Sequence, residues 1–407
     1  MVVYASFLTF IKQSNLFIRR SEIAIALVKV AGIDPGTKSM DVCVLEGGEV
    51  YYERVVSTEE VAKKPQLLIE AVEDAMPLDL IVGPSGYGIE LTYLSDIPEV
   101  SLEDWYYKYI LLADRSEIEE AVSKGVFGAL IYYAMAKTAV EMKRRGWPVC
   151  YIPAVIHLPT VPEYRKVNKI DMGTADKMCA AILGVYDQSR RLAIPYSEVS
   201  FIQVEMGFGY NAVVAVKEGR IVDGVGGTTM GGPGFLTISS LDAELAQLVK
   251  EWDKEDLFTG GCISIAGRAT PEELIDNLGA DKRCELAWRA MAESVLKAVY
   301  SMKASVQNPR EILISGRLTR IKYVEEWLKE KLSAIAPVKR VGWLPGAKEV
   351  KETAQGYALV ADGLAGGKFK NLIEWMKIKE AKGTALDYIY HPKFFTHSKL
   401  RGRCGDP

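Results

Sequence analysis

Histidine is nearly absent: His157, His391 and His397 are the only three in 407 residues. That leaves little room for a histidine-based metal site, and no His-x-x-x-His pair exists. Cysteine is scarce and scattered. Cys43, Cys150, Cys179, Cys262, Cys284 and Cys404 include no C-x-x-C pair. A disulfide framework, a four-thiolate metal site and an iron–sulfur bridge between subunits are all disfavoured. Most of the six read as small buried apolar side chains. Long apolar runs are missing too. The stretches 7–11 and 23–27 lie either side of Arg19-Arg20, and neither approaches the roughly 20 residues of a membrane span. A signal peptide would carry its charge ahead of the apolar stretch. Residues 1–27 therefore read as an extension to a folded region that begins near Val28, and the expected setting is cytoplasmic, with no membrane partner. An excess charge of one sign is also lacking. Lys+Arg number 50 against 53 Asp+Glu, a net charge of −3, so no nucleic-acid partner is indicated. Hydrophobic content of 49% and charged content of 25% are ordinary for a globular protein, and the length suggests two domains.

Glycine and carboxylate, by contrast, recur in a pattern. The apolar run 201–205 ends in Glu205, and Gly207 and Gly209 follow. A β-rich run, 211–217, then leads through Glu218-Gly219-Arg220 to Ile221-Val222. Two strands joined by a glycine turn make a hairpin. The bend at Gly207 and Gly209 lets backbone N–H groups face an anion with no side chain in the way. A carboxylate beside such a bend suits a Mg²⁺-bound phosphate, because Mg²⁺ takes oxygen ligands and keeps several waters. The same layout opens the chain at Ile33-Asp34-Pro35-Gly36-Thr37, with 40–45 as the returning strand and Glu46-Gly47-Gly48-Glu49-Val50 as the next turn. Asp34 and Glu205 stand 171 apart, as do Gly36 and Gly207, whereas Gly47 and Gly219, and Val50 and Val222, stand 172 apart. A repeat one residue out of step after the hairpin suggests two similar α/β domains sharing one cleft.

The expected order supports this. Strands over 28–33, 40–46 and 49–57 precede a helix over 58–76 with Thr58 as its N-cap. A buried strand over 78–82, a loop at 83–88, an aromatic insertion at 89–114, a long helix over 117–145, a strand over 149–152 and a helix over 174–185 complete the first half. The second half runs through strands at 199–205, 211–217 and 220–223, helices at 240–252 and 281–306, a strand at 311–315, a helix at 320–333, a strand at 338–341 and a helix at 349–364. The expected domains are 28–195 and 196–367, with a helix and basic tail over 368–407. The fold class is thus α/β, and the order in both halves resembles two ribonuclease-H-like domains around a shared cleft.

Two hairpin turns and Ser315-Gly316-Arg317 at a strand end resemble the acetate and sugar kinase / heat-shock 70 / actin superfamily (the actin-like ATPase fold). Within it the chain is similar to the archaeal predicted butyrate kinase family. IDPGTKSMDV (33–42), GPSGYG (83–88), MGTADK (172–177), DGVGGTTMGGPG (223–234), LDAE (241–244), ILISGRL (312–318) and AQGYALVADGLAGG (354–367) carry that likeness. The resemblance implies ATP and Mg²⁺ as cofactors, bound between the domains. Asp34, Gly36, Thr37 and Lys38 would form the first phosphate loop. Glu205, Gly207 and Gly209 would form the second, with Gly226, Gly227 and Thr228 also at the nucleotide. Gly316, Arg317, Gln355 and Gly356 would border adenosine. Three features depart from the acetate kinase pattern: Glu205 stands where Asp is usual, the 172–177 loop has no histidine, and no Arg follows the glycine-rich hairpin through Ser239.

A carboxylate substrate is already ionised near neutral pH, so its kinase needs no strong base. It needs in-line positioning and a cation on the moving phosphoryl group. Lys177, beside Asp176 at a helix start, is the first candidate for that cation, ahead of Arg268 and Lys38. Asp34 and Glu205 are the candidate Mg²⁺ ligands, and Asp176, Asp242 and Glu244 are further carboxylates. Against each stands a structural reading: Asp34-Pro35-Gly36 as a turn, Lys177 as Asp176's surface partner, Asp242 and Glu244 as helix-start residues. His157 and the cluster Trp105, Tyr106, Tyr107 and Tyr109 read as structural. The expected activity is phosphorylation of a small carboxylate such as butyrate to an acyl phosphate. A nucleotide-dependent conformational switch or assembly ATPase is the alternative, and self-association into a homo-oligomer stays open.

Overall fold

A computed structural model describes residues 27–396. All of the N-terminal extension except Leu27, and the end of the tail with His397 and Cys404, lie outside the described residues. Among the described residues eleven strands form two sheets. The first half supplies β1 (Lys29–Pro35), β2 (Ser39–Glu46), β3 (Glu49–Ser57), β4 (Leu80–Val82), β5 (Thr92–Tyr93) and β6 (Val149–Tyr151). The second supplies β7 (Phe201–Met206), β8 (Asn211–Lys217), β9 (Arg220–Val225), β10 (Glu311–Ser315) and β11 (Val338–Arg340). The sheet orders are β3-β2-β1-β4-β6-β5 and β11-β10-β7-β8-β9. Read from the hairpin side, both begin with an antiparallel meander whose first strand pairs in parallel with a fourth strand, which in turn pairs in parallel with a fifth.

The repeat is stricter than the glycine spacing indicates. Val30 pairs with Leu45 and Phe201 with Val216; Asp34 pairs with Asp41 and Glu205 with Ala212. Each pair is displaced by 171. A bulge falls between Val44 and Leu45 in the first half and between Ala215 and Val216 in the second, at the same displacement. The turns match as well: Gly47 and Gly48 have φ of 59° and 78°, Glu218 and Gly219 have 53° and 67°. Two successive left-handed residues make the mirror-image turn that suits strand twist. Gly47 therefore corresponds to Glu218, not to Gly219, and the one-residue slip expected after the hairpin does not exist.

Alternation along the strands sorts side chains into two faces. Val30, Cys43, Leu45, Phe201 and Leu313 enter a central core; Ala31, Ile33, Met40 and Val42 face an outer core on one side, and Ile202, Val204, Ile312 and Ile314 an outer core on the other. The central core holds two inner helices, Ala175–Leu192 and Glu352–Leu364. The order through the molecule is helices, sheet, inner helices, sheet, helices. Close approach sets glycine at two points. A Cβ on Gly32 of β1 would stand 2.1 Å from the Ala358 backbone nitrogen, and one on Gly356 would stand 2.2 Å from the Cys179 carbonyl oxygen.

Several expected elements differ. The helix expected over 58–76 is two, Thr58–Lys63 and Gln66–Glu73, because Pro65 cannot continue a helix. Its N-cap is Ser57, whose hydroxyl accepts from the Glu60 N–H. The helix expected over 117–145 breaks into Arg115–Ser123 and Phe127–Arg144 around Gly125, at φ 75°. The insertion is helical over Glu99–Trp105 and Tyr106–Leu111, and its β5 extends the first sheet. The first inner helix runs to Leu192, past the expected 185. The helix expected over 240–252 shrinks to Ala243–Val249, and that over 281–306 is Lys282–Met302. Glu352–Leu364, expected within the second half, packs on β1 and β2 of the first sheet and on the first inner helix. The described cysteines are all free and buried.

Candidate functional site

A cleft of about 320 Å³ opens at the carboxyl ends of β1, β7 and β10, where open α/β sheets place their ligands. The penultimate residues of β1 and β7, Asp34 and Glu205, line it with Gly36, Thr37, Lys38, Gly207 and Gly209 of the loops that follow. The two loops face each other: a Cβ on Gly209 would stand 2.8 Å from Thr37 Oγ1. Gly316 closes another wall at φ 89°, where a Cβ would meet the Met206 carbonyl oxygen at 2.6 Å, so this turn needs glycine. Arg317, Asp176, Lys177, Gly227 and Thr228 also line the cleft.

Two ion-paired clusters occupy the centre. Lys177, in the first turn of the first inner helix, donates to Asp176 Oδ2 at 2.6 Å and Glu205 Oε1 at 2.9 Å. Thr174 Oγ1 donates to the other Asp176 oxygen. Across the cleft, Lys351, at the N-cap of the second inner helix, pairs with Asp34 Oδ2 at 2.6 Å and lies 3.7 Å from Asp41 Oδ1. Its ammonium also donates to the Ser39 carbonyl at 2.9 Å, and Thr353 Oγ1 donates to Asp34 Oδ2 at 2.8 Å. The start of each inner helix thus delivers a lysine to one loop carboxylate.

The electrostatics follow from burial. Burial pushes Glu205 up to about 7, with Asp176 and Asp34 adding to that and Lys177 opposing it. Burial likewise raises Asp41 against the pull of Lys351. Asp176 is held below its ordinary value because Lys177 and Thr174 outweigh burial. Burial disfavours charge on both lysines, yet Asp176 and Glu205 raise Lys177, and Asp34 and Asp41 raise Lys351. Three buried carboxylates and the half-buried Asp176 face two ammonium groups here, and Glu205 Oε2 and Asp41 Oδ1 have no hydrogen-bond partner. The donor set fits a further cation, since a buried carboxylate oxygen without a partner is costly. Among the described residues no three His, Cys, Asp or Glu side chains converge as a metal cage. A Mg²⁺ on Asp34 and Glu205 would therefore complete its shell with water or phosphate oxygens.

Beyond the clusters the cleft turns apolar. Ile110, Leu111, Ile131, Tyr132 and Met135 of the first half line it with Phe258 of the second. Phe258 meets Tyr132 edge-to-face, with ring centroids 5.8 Å apart, so this wall joins the two halves. Tyr87 of the 83–88 loop lines the cleft, and Lys254 donates to its hydroxyl at 3.3 Å.

Not every expected site residue reaches the cleft. Gln355 is fully buried; its Oε1 accepts from the Leu344 N–H and its Nε2 donates to the Val350 carbonyl. Gly356 serves the contact between the inner helices. Both miss the cleft because they face away from it, whereas Thr353 and Tyr357 of the same helix line it. Gly226 lies against Asp171, whose Oδ1 a Cβ there would meet at 1.8 Å. Asp242 caps the helix Ala243–Val249, accepting from the Glu244 N–H at 2.8 Å, and Arg268 pairs with Asp281 at 2.9 Å; neither lines the cleft. His157 is buried, its Nδ1 accepts from the Ala154 N–H, and burial lowers it to about 4. The insertion aromatics pack structurally: Tyr106 donates to the Pro84 carbonyl and Trp105 packs at a tilt on Tyr151. Sequence reasoning missed Lys351, Thr353 and Asp41 as cleft residues. Asp41 had a signal, because the hairpin turn places it opposite Asp34; Lys351 and Thr353 had none, being set by a contact between chain ends.

The chain belongs to the family described as "Protein of unknown function (DUF1464)", whose model matches residues 32–391. No curated protein is similar enough in sequence to count as a match. Among solved structures, a propionate kinase from Francisella tularensis is similar, with a TM-score of 0.55 and 12% identity over 81% of this chain and 98% of that one. Acetate kinase from Porphyromonas gingivalis gives 0.52 and 13% over 81% and 98%. Acetate kinase from Entamoeba histolytica gives 0.51 and 12% over 75% and 86%. At such identity the likeness concerns the fold, which is the two-domain actin-like ATPase fold. No helix among the described residues is long and apolar enough to cross a membrane.

Proposed function

We propose that this member of the DUF1464 family is an ATP- and Mg²⁺-dependent phosphotransferase that phosphorylates a small carboxylate, as a butyrate kinase would, to an acyl phosphate. The carrying observation is the facing pair of glycine loops, each preceded by a buried carboxylate, with lysines at their centre. Asp34 and Glu205 would hold Mg²⁺, which when bound supplies positive charge to the phosphate oxygens. Gly36, Thr37, Lys38, Gly207, Gly209, Gly227 and Thr228 would surround the phosphates, and Gly316 and Arg317 the adenosine. The apolar wall of Ile110, Ile131 and Met135 suits the hydrocarbon part of a small acid.

In this reading an ionised substrate oxygen attacks the terminal phosphorus, a new O–P bond forms, and ADP leaves as the bridging O–P bond breaks. No proton has to be removed from the acid, whose pKa lies near 4. Lys177 stabilises the charge on the moving phosphoryl group, while Asp176 and Glu205 hold its ammonium in place. The test is purified protein with ATP, Mg²⁺, hydroxylamine and a panel of short acids, read as acyl hydroxamate. ATP binding with no hydroxamate from any acid would remove the carboxylate kinase claim.

A second reading is a nucleotide-driven conformational switch. The Phe258–Tyr132 contact favours it, since it ties the two halves along the cleft wall, where closure would be felt. It predicts an ATP-dependent change in Tyr132 or Phe258 environment and no dependence of ATP turnover on any acid.

A further inference from the structure

We propose that Lys351 is the phosphate-directed cation of the first loop, and that it sets the preference of the cleft for nucleoside di- and triphosphates over the free nucleoside. This rests on the nucleotide reading above. Four observations lead to it. The ammonium lies over the loop itself: a Cβ on Gly36 would stand 2.1 Å from Lys351 Nζ, so it occupies the space that only glycine leaves open. Its contacts leave capacity unused. An ammonium has three donors; one is directed to Asp34 Oδ2 at 2.6 Å and one to the Ser39 carbonyl at 2.9 Å, while Asp41 Oδ1 is beyond hydrogen-bond distance at 3.7 Å. Its backbone is fixed, because the Lys351 N–H donates to Asp41 Oδ2 at 3.0 Å and the helix Glu352–Leu364 is packed on β1. Finally, it is placed as Lys177 is, at the start of the other inner helix and on the other loop carboxylate.

A phosphate oxygen entering over Gly36 would meet the third N–H of Lys351. A charge-assisted hydrogen bond of this kind is strong and short. Adenosine, which carries no phosphate, would gain nothing from it. The contribution of Lys351 is therefore a ratio: affinity for ATP or ADP relative to adenosine.

The experiment is calorimetric titration of wild type and Lys351→Gln with ATP, ADP and adenosine, each with Mg²⁺. Glutamine keeps a donor for Asp34 and removes the charge. The proposal expects ATP and ADP affinity to fall about 10- to 100-fold, the range of a hydrogen bond to a charged group, with adenosine affinity unchanged within about twofold. Equal loss for all three ligands would make Lys351 a structural residue and overturn the proposal, as would unchanged ATP affinity. Should Lys351→Gln not fold, Lys351→Arg decides: the retained charge should hold the ATP-to-adenosine ratio within about threefold, and a loss above about tenfold overturns the proposal. Failure of the wild type to bind ATP or adenosine would instead overturn the nucleotide reading beneath it.

Discussion

Neutralising Glu205 should make the protein more stable and less functional. Burial raises this carboxyl from 4.5 to about 7 in the folded chain. At 1.36 kcal/mol per pH unit, ionising it above pH 7 costs the fold about 3 kcal/mol. The sign is set by which state holds the proton more tightly. The folded value lies above the unfolded one, so the folded chain keeps the proton longer. Stability is full below about pH 4.5 and declines as pH rises toward 7. Glu205→Gln mimics the protonated group. Its amide oxygen can still accept from Lys177, whose ammonium keeps Asp176 at 2.6 Å. The variant should be about 3 kcal/mol more stable than wild type at pH 8, or about 4 °C in melting temperature for a chain of this length, and equal to it near pH 4.5. Urea titrations of both proteins at pH 5 and pH 8 read this directly. A variant less stable than wild type at pH 8, or a difference that does not shrink at pH 5, would refute the reasoning. The same variant should weaken Mg²⁺–ATP binding, because the carboxylate proposed to hold the ion is gone.

Further expectations concern the frame around the cleft. Gly32→Ala should cost about 3 kcal/mol in urea unfolding, since its Cβ would meet helix backbone at 2.1 Å and neither element can yield cheaply. Arg191→Met should cost about 3 kcal/mol at pH 7, because it leaves Glu311, now 2.7 Å from Arg191 Nη2, buried without its cation. Arg191 and Gln188 hold Glu311 below its ordinary value against burial. That stability is present above the unfolded value near 4.5 and is lost as pH falls through the folded one, so the two melting curves should converge in acid. Glu218→Gly should stabilise by about 0.5 kcal/mol in thermal melts, since Glu218 sits at φ 53° in the turn position that Gly47 fills in the other half.

The duplicated hairpins were legible because each is a local device: an apolar strand, a carboxylate, a glycine bend and a glycine turn within about twenty residues. That was enough to bring Asp34 and Glu205 to one cleft, and Lys177 followed from its position at a helix start. What was misread depends on long-range packing. Thr353 bonds Asp34 across 319 residues, and nothing near Lys351 in the sequence marks the crossing of its helix to the first sheet. Gly356, expected at the adenosine, instead sits where the two inner helices touch, and Gln355 is buried against the Leu344 and Val350 backbone. The break at Pro65 was available from the sequence, since proline removes a helix donor. The turn offset was misjudged because a left-handed glutamate, Glu218, stands where the first half has glycine.

The central claim is that the two glycine loops clamp the phosphates of one nucleotide between the halves. A structure determined with a non-hydrolysable ATP analogue and Mg²⁺ tests it most directly. The account predicts the terminal phosphates between Gly36-Thr37 and Gly207–Gly209, within reach of Lys177 and Lys351, with the adenosine beside Gly316 and Arg317. Phosphates bound elsewhere, or contacting one loop with the other turned away, would contradict it.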